Sequence, residues 1–172
     1  EQLIASLKDA SAEVRVKSAL WLGKIRDPRA LEPLIAAFKD EDRDVRVEVV
    51  KALGELRDAR ALELLTGALK DSDDGISRAA TKALVRIDPA QAGATLLDAL
   101  KNTKSEALQE MIAGKLGDTG DPGAVQPLLD LLEDENNEKV RESAARSLVQ
   151  LYRSNALGQT EKQLILDQQE TI

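Results

Sequence analysis

A phrase of about 20 residues returns at a spacing of about 31 residues along this chain, and this repetition constrains the fold more than any other feature. Residues 20–40 read LWLGKIRDPRALEPLIAAFKD, and close copies follow as KALGELRDARALELLTGALKD at 51–71 and KLGDTGDPGAVQPLLDLLED at 115–134. Each copy joins the end of one helix to a tight turn and a second helix with an apolar face. Such repeats bury their apolar surfaces against neighbouring repeats, which is typical of an α-solenoid.

The register of the repeat follows from apolar residues that recur at nearly constant steps. In the second helix of each repeat one leucine position is kept throughout, at Leu22, Leu53, Leu84, Leu116 and Leu148. Within the first helices, apolar residues at offsets of three and four lie on one helical face. The sequence therefore predicts an all-α fold built from about five helix-turn-helix repeats.

The predicted array covers residues 1–153, and a different pattern begins after it. The repeats are expected at about 1–26, 27–57, 58–87, 88–118 and 119–153. Residues Thr160 to Gln163 form a capping-box pattern, so the segment 154–172 is predicted to contain a C-terminal helix. This helix either covers the open end of the last helix pair or begins a further region.

Asp-Pro pairs mark three of the predicted turns, at residues 27–28, 88–89 and 121–122. In each pair Asp suits the N-cap, and Pro suits the first helical position because its missing N–H has no intrahelical partner there. The fourth repeat adds Gly114, Gly117 and Gly120, so its second helix is predicted to be the weakest.

The residue types absent from the chain limit its chemistry. It contains no Cys, which excludes disulfides, thiolate metal sites and Cys nucleophiles. It also contains no His, the commonest metal ligand and general base near neutral pH. No Ser has an obvious base partner, and glycine-rich phosphate loops are absent. We therefore expect no enzymatic activity, no cofactor and no metal site.

The charge and hydropathy of the chain bear on its partners and location. Lys and Arg together number 24 against 31 Asp and Glu, a formal charge of −7, which argues against a nucleic-acid-binding surface. No apolar run approaches the roughly 20 residues that span a bilayer, and no signal-peptide pattern opens the chain. A cytoplasmic protein without membrane contacts is expected.

The repeated phrase resembles the HEAT-like repeats of the phycobilisome-lyase type. The residues that carry the motif D-x-x-V-R-x-x-A-x-x-x-L-G-x-x-x-D in the first two repeats are Val14, Arg15, Leu22, Gly23, Asp27, Val45, Arg46, Leu53, Gly54 and Asp58. The resemblance implies a right-handed α-solenoid whose second helices line a concave face. It also implies that the motif arginines pair with Asp residues of neighbouring turns, the candidates being Arg15, Arg46 and Arg141 with Asp9, Asp40 and Asp42.

Positions on this concave face that packing does not use are the candidate partner-binding residues. Val16, Leu20 and Val47 are apolar at such positions, and Trp21 occupies a position that is usually Ala in repeats of this type. Exposed apolar groups beside a Trp resemble a binding hot spot. The alternative, that Trp21 fills space at the N-terminal end of the array, is equally open.

The second helix of the third repeat adds a basic strip to this face. Its cationic residues are spaced by four, and both an acidic partner and a solvated helix face explain them. The complete candidate site is Val16, Leu20, Trp21, Val47, Lys51, Arg78, Lys82 and Arg86.

The function that this pattern favours is a non-catalytic scaffold or adaptor that binds a protein or peptide along the concave face. The resemblance implies an alternative, a bilin lyase subunit or chaperone that acts on phycobiliproteins. A third possibility, DNA binding as in HEAT-like DNA glycosylases, is disfavoured by the net charge. Neither the partner's identity nor the oligomeric state follows from the sequence.

Overall fold

The computed structural model describes residues 1–133, 136–154 and 156–167, which contain helices and turns but no β-strand. The predicted all-α class is therefore confirmed. The chain forms two compact units, one ending at Asp88 and the other beginning at Pro89. The borders of the five repeats stay predictions.

The N-terminal unit consists of two layers of helices. Its helices are α1 (Gln2–Ala5), α2 (Ala12–Ile25), α3 (Leu31–Ala37), α4 (Arg43–Leu56), α5 (Leu62–Ala68) and α6 (Asp74–Ile87). The long helix α2 packs against α4, and α4 packs against α6. The shorter α3 and α5 pack on α4 and α6, so the long helices lie side by side in one layer.

Glycines allow the long helices to approach each other closely. A Cβ atom built on Gly23 would lie 2.8 Å from the Cα atom of Ala52, and one on Gly54 would lie 2.8 Å from the Cα atom of Ala83. No real side chain fits at such a distance, so these positions require glycine. The leucine that precedes each glycine, Leu22 or Leu53, is buried. The repeated Leu-Gly pair thus fixes the spacing of the layer.

Aspartates cap two of the three predicted Asp-Pro turns, and the N-cap role of Asp88 stays a prediction. Asp27 accepts a hydrogen bond from the backbone N–H of Arg29, and Asp121 accepts one from Gly123. In both turns Pro follows at the first helical position. Asp42 and Asp73 cap α4 and α6 in the same way through the backbone N–H groups of their first turns.

The first motif arginine forms a buried ion pair between repeats. The Arg15 guanidinium donates to both carboxylate oxygens of Asp40, with Nε–Oδ2 at 2.7 Å and Nη2–Oδ1 at 2.8 Å. This confirms the prediction for Arg15. Arg46 also bonds Asp40, one of the predicted candidates, but its Nη1 donates to the backbone carbonyls of Asp40 and Glu41, so the expected carboxylate acceptor was wrong. Arg141 is half-buried, and its pairing stays a prediction.

The C-terminal unit repeats the same arrangement with a different closing element. Its helices are α7 (Pro89–Asn102), α8 (Glu106–Leu116), α9 (Val125–Leu132), α10 (Glu138–Arg153) and α11 (Gln159–Asp167). The helix α10 packs against α8 and α9, and α8 packs against α7. The Ser147 hydroxyl donates to the carbonyl of Ala113 at 2.6 Å, which ties α10 to α8.

The predicted C-terminal helix is confirmed in α11, which packs on α9 and α10. The helix begins one residue before its predicted cap, since the backbone N–H of Lys162 bonds the carbonyl of Gly158. Thr160 therefore lies inside the helix rather than at its N-cap. Residues 168–172 of the predicted segment lie outside the described residues.

Candidate functional site

A groove of about 650 Å³ runs across α2, α4 and α6 of the N-terminal unit. Its outer lining comes from side chains at equivalent positions of the three helices, namely Leu20, Lys24, Val47, Glu48, Lys51, Glu55, Arg78, Lys82 and Arg86. Its floor contains small residues, among them Gly23, Ala52, Gly54, Ala79 and Ala83. The groove is therefore wide and shallow, with a small-residue floor and a polar rim.

Helical periodicity explains why these side chains converge. Within α6, Arg78, Lys82 and Arg86 are spaced by four and lie along one face. The spacing of about 31 residues then places equivalent positions of neighbouring helices side by side. One such row across the three helices is Leu20, Lys51 and Lys82.

Six of the predicted site residues line this groove, and two do not. The groove contains Leu20, Val47, Lys51, Arg78, Lys82 and Arg86. Val16 is half-buried and lies outside the lining, and Trp21 is exposed but also outside it. Trp21 is one position from Leu20, and a helix rotates by about 100° per residue, so its indole points to another face. Nearby, Lys24 Nζ lies 4.7 Å from the centre of the Trp21 ring.

The groove is positively charged although the chain as a whole is acidic. Five cationic side chains line it, Lys24, Lys51, Arg78, Lys82 and Arg86, against the two carboxylates of Glu48 and Glu55. The difference is +3, compared with −7 for the whole chain. Low-dielectric walls strengthen such a local field, so the groove attracts anionic groups.

The acidic residues of the groove already form ion pairs within the chain. Glu48 accepts from Lys51 Nζ at 2.9 Å, and Glu55 forms ion pairs with Arg86 and Arg26. By contrast, no ion pair joins Arg78 or Lys82 to any of the described residues. Together with Lys24, whose Nζ lies near the Trp21 ring, these side chains carry the groove's available positive charge.

The floor of the groove was not among the predicted site residues. Gly23, Ala52 and Gly54, which form part of it, pack between helices. Their small size also leaves the groove open above them. The sequence did contain the information to find them, since each small residue lies three or four positions from a predicted outward-facing residue on the same helix.

Neither a metal centre nor a membrane-spanning element is found in the described part of the chain. Residues 1–133, 136–154 and 156–167 contain no group of three or more Asp and Glu side chains placed to hold a metal ion. No helix in these ranges has the length and apolarity needed to cross a bilayer. Carboxylates of the turns are occupied instead in capping, as when Asp73 accepts from the backbone N–H of Gly75 at 2.7 Å.

Comparison with known families and structures identifies the repeat. The family profile for HEAT repeats matches residues 1–85 and 71–149. A chain of the complex of CpcE and CpcF of phycocyanin lyase from Nostoc sp. PCC7120 has a similar structure, with a TM-score of 0.73 and 27% sequence identity. The match covers 88% of this chain and 64% of that chain, so this chain spans less than two thirds of the lyase chain's length.

Two artificial proteins share the fold at lower identity. An engineered protein matches with a TM-score of 0.63 and 22% identity, over 88% of this chain and 78% of its own. A designed armadillo repeat protein matches with a TM-score of 0.57 and 21% identity, over 96% of this chain and 86% of its own. No curated protein sequence is significantly similar to the chain. The predicted α-solenoid class is confirmed by these neighbours.

Proposed function

The chain belongs to the HEAT-repeat family, and on this premise we propose that it is a non-catalytic scaffold whose groove binds an acidic segment of a partner protein. The observation that carries the proposal is the positive groove across α2, α4 and α6 in an otherwise acidic chain. The absence of Cys and His from the sequence supports the non-catalytic part of the proposal.

Apolar contacts provide the main affinity in this proposal. Leu20 and Val47 line the groove, and Leu20 is exposed. Burial of one such side chain against a partner contributes about 1.5–3 kcal/mol. Two together are sufficient to anchor a short segment, provided that the partner contributes apolar side chains of its own.

The cationic residues provide selectivity. Arg78 and Lys82 lie on α6, across the groove from Leu20 on α2. Opposite charges across an interface accelerate encounter and exclude partners of the wrong charge more than they raise affinity. An acidic partner segment is therefore favoured over a neutral or basic one.

The width of the groove sets the length of the segment. Packed helices lie about 8–10 Å apart, so three adjacent helices span about 20 Å. An extended chain covers that distance with about six residues. The expected ligand is a short acidic stretch with one or two apolar residues, not a large folded surface.

Selection of peptides against the full chain tests this proposal. A phage-displayed library of random peptides of about 12 residues, twice the span of the groove, is selected for binding at low salt. We expect enrichment of Asp and Glu around apolar residues. A labelled selected peptide should lose affinity as the salt concentration rises, and its charge-reversed counterpart should not bind. Enrichment of neutral or basic peptides would contradict the proposal.

Charge reversal in the groove gives the matched control. The double variant Arg78→Glu and Lys82→Glu should weaken binding of the selected peptide by at least about tenfold, or about 1.4 kcal/mol. The variant Lys101→Glu and Lys104→Glu makes the same change in net charge at exposed positions outside the groove lining. It should bind as the parent chain does, and equal losses in both variants would count against a specific groove.

The likeness to the phycocyanin lyase complex favours a second candidate function, that of a bilin lyase subunit or chaperone acting on phycobiliproteins. This candidate rests on 27% identity over 88% of the chain. Its test is to mix the chain with a bilin, with and without an apo-phycobiliprotein, and to record the visible absorption spectrum. A spectral change that depends on the chain supports this candidate, and an unchanged spectrum excludes it.

A further inference from the structure

Three arginines lie where the long helices of the N-terminal unit end. Arg26 and Arg57 are the C-cap residues of α2 and α4, and Arg86 lies in the last turn of α6. All three are exposed. Glu55, near the end of α4, forms ion pairs with two of them. We call these four residues the arginine cluster, and three arginines against one glutamate give it a formal charge of +2.

Glu55 engages only part of the hydrogen-bonding capacity of the two arginines that it binds. Its Oε2 lies 2.9 Å from Nη2 of Arg26, and its Oε1 pairs with Nη1 of Arg86. The side chains of Arg26 and Arg86 are 52% and 44% exposed. Because a guanidinium has five N–H donors, both arginines can bind a further acceptor while they hold Glu55.

Arg57 has a base where the preceding repeat provides an acid. Arg26 and Glu55 are 29 residues apart, and so are Arg57 and Arg86. The two C-caps also share one backbone conformation, with φ 57° and ψ 34° at Arg26 and φ 55° and ψ 36° at Arg57. The repeat therefore places Arg57 beside Arg86, as Arg26 lies beside Glu55. No ion pair or hydrogen bond joins Arg57 to any of the described residues.

The aspartate that follows each C-cap arginine is already bound to another arginine. Arg29 donates to both carboxylate oxygens of Asp27, and Arg60 donates to both of Asp58. These turns therefore keep their own ion pairs. The positive charge of the arginine cluster is not cancelled by them.

The backbone at the two C-caps indicates that their side chains have a use. A positive φ at a helix C-cap favours glycine, and other residues adopt it at a cost. A cation near a helix C-terminus is favourable, but Arg86 obtains that benefit from within the last turn of α6. Backbone strain of this kind concentrates at functional sites. The presence of Arg at both Arg26 and Arg57 therefore points to a role for the guanidinium groups.

We propose that the arginine cluster binds a phosphoryl group on a phosphorylated serine of the partner segment, an inference that rests on the function proposed above. Glu55 and Arg86 also line the groove, so the cluster is continuous with the segment's binding site. A phosphoserine carries a charge of about −2 and three acceptor oxygens, which match the charge of the cluster and its open donors. Planar guanidinium groups bind phosphate oxygens in pairs, which an ammonium group does not.

The exposure of the arginines favours a phosphoryl group on a peptide over a free phosphate ion. Solvent and salt weaken exposed ion pairs, so a single ion binds weakly to such a cluster. A phosphoryl group on a segment that already occupies the groove acts instead at a high effective concentration. A nucleic-acid backbone requires a longer positive surface, and the charge of −7 on the chain disfavours it.

Peptides with and without the phosphoryl group test the proposal on the full chain. Random peptides of about 12 residues with a central phosphoserine are screened, and the best binder is also made with Ser or with two Glu residues at that position. We expect the phosphopeptide to bind at least about tenfold more tightly than the Ser form, and more tightly than the Glu-Glu form of similar charge. Inorganic phosphate should compete only at millimolar concentration or above.

Three results would overturn the proposal, and they separate it from the groove's proposed function. Acidic peptides that bind equally well with and without the phosphoryl group leave that function in place and remove the phosphoryl site. Binding of inorganic phosphate at micromolar concentration would make the free ion the ligand. If no peptide of either kind binds, the groove's proposed function fails as well.

A glycine at position 57 separates binding from folding. Arg57→Gly relieves the positive φ, so its melting temperature should equal or exceed that of the parent chain. Arg57 lies outside the groove lining, so the Ser peptide should bind as before, while the advantage of the phosphopeptide should fall at least tenfold. Arg153→Gln, an exposed arginine at the end of α10, is the control and should preserve that advantage. An unchanged advantage in Arg57→Gly, or an equal loss in Arg153→Gln, contradicts the site.

Discussion

Gly54 and Gly67 both lie within helices, yet their surroundings give them opposite roles. A Cβ atom on Gly54 would lie 2.7 Å from the Cβ atom of Ala83 on the neighbouring helix. A Cβ atom on Gly67 would meet nothing within 4 Å. The first glycine is required by packing. The second has no packing role and only gives the unfolded chain more conformational freedom, which is lost when α5 forms. Residue type alone does not distinguish the two cases.

This contrast predicts opposite effects of the same substitution. Gly54→Ala should lower the free energy of unfolding by about 1–3 kcal/mol, because the added methyl group forces α4 and α6 apart. Gly67→Ala should raise it by about 0.5–1 kcal/mol through helix propensity. Urea unfolding followed by circular dichroism measures both. A rise in the free energy of unfolding in both variants would show that the helices of the layer can separate at no cost.

The ion pair between Arg15 and Asp40 predicts a pH dependence of stability. The hydrogen bonds from Arg15 hold the pKa of Asp40 below its ordinary value of 3.8, although burial acts in the opposite direction. A carboxylate with a lowered pKa in the folded state stabilises the fold above its unfolded pKa. This contribution is lost as the pH falls through and below the ordinary value.

The pair Asp40→Asn and Asp27→Asn tests this pH dependence with a matched control. Asp27 has a pKa lowered to about 2 by Arg29, but that arginine is largely exposed. Exposed ion pairs contribute little to stability. Asp40→Asn should therefore lower the melting temperature at neutral pH more than Asp27→Asn, and its stability should fall less between neutral pH and pH 3 than that of the parent chain. A parallel decline would exclude Asp40 as a contributor.

At the scale of single helices, α8 has features that were expected to make it unstable, but it also packs closely against a neighbouring helix in a way that was not expected. It spans 11 residues, whereas α2, α4 and α6 span 14 each. Gly114 lies inside α8, but Gly117 lies at its C-cap. A Cβ atom on Gly117 would lie 2.9 Å from the Cα atom of Ser147. Gly117 is thus a packing glycine like Gly54: it follows Leu116 as Gly54 follows Leu53, although from the sequence it was counted only as a residue that weakens the helix.

Amide hydrogen exchange compares α8 with α4. Weak elements of a repeat protein open before their neighbours, and Gly114 costs α8 up to about 1 kcal/mol relative to Ala. We expect the amides of Leu108 to Leu116 to exchange faster than those of Val45 to Leu53. Equal protection of the two helices would show that the bond from Ser147 and the packing of α10 compensate for the glycine.

At the scale of the whole molecule, the fold could be predicted because one leucine position recurs in every repeat, from Leu22 to Leu148. An incorrect alignment of any repeat would have removed this recurrence. The outer side chains of the groove could be predicted, since equivalent positions of α2, α4 and α6 lie side by side. The face of Trp21 was not recognised, although Val14 and Ile25 at helical spacing share it. The acceptor group for Arg46 was also mispredicted, because a sequence pattern does not distinguish the carboxylate of Asp40 from its backbone carbonyl.

The central claim is that the groove binds a partner segment through Leu20 and Val47, and one double variant tests it most directly. The affinity of the selected acidic peptide and the melting temperature are measured on the same preparation of Leu20→Ser with Val47→Ser. We expect a melting temperature close to that of the parent chain and an affinity lower by at least about tenfold, or about 1.4 kcal/mol. An unfolded variant, or a folded one that binds with unchanged affinity, would contradict it.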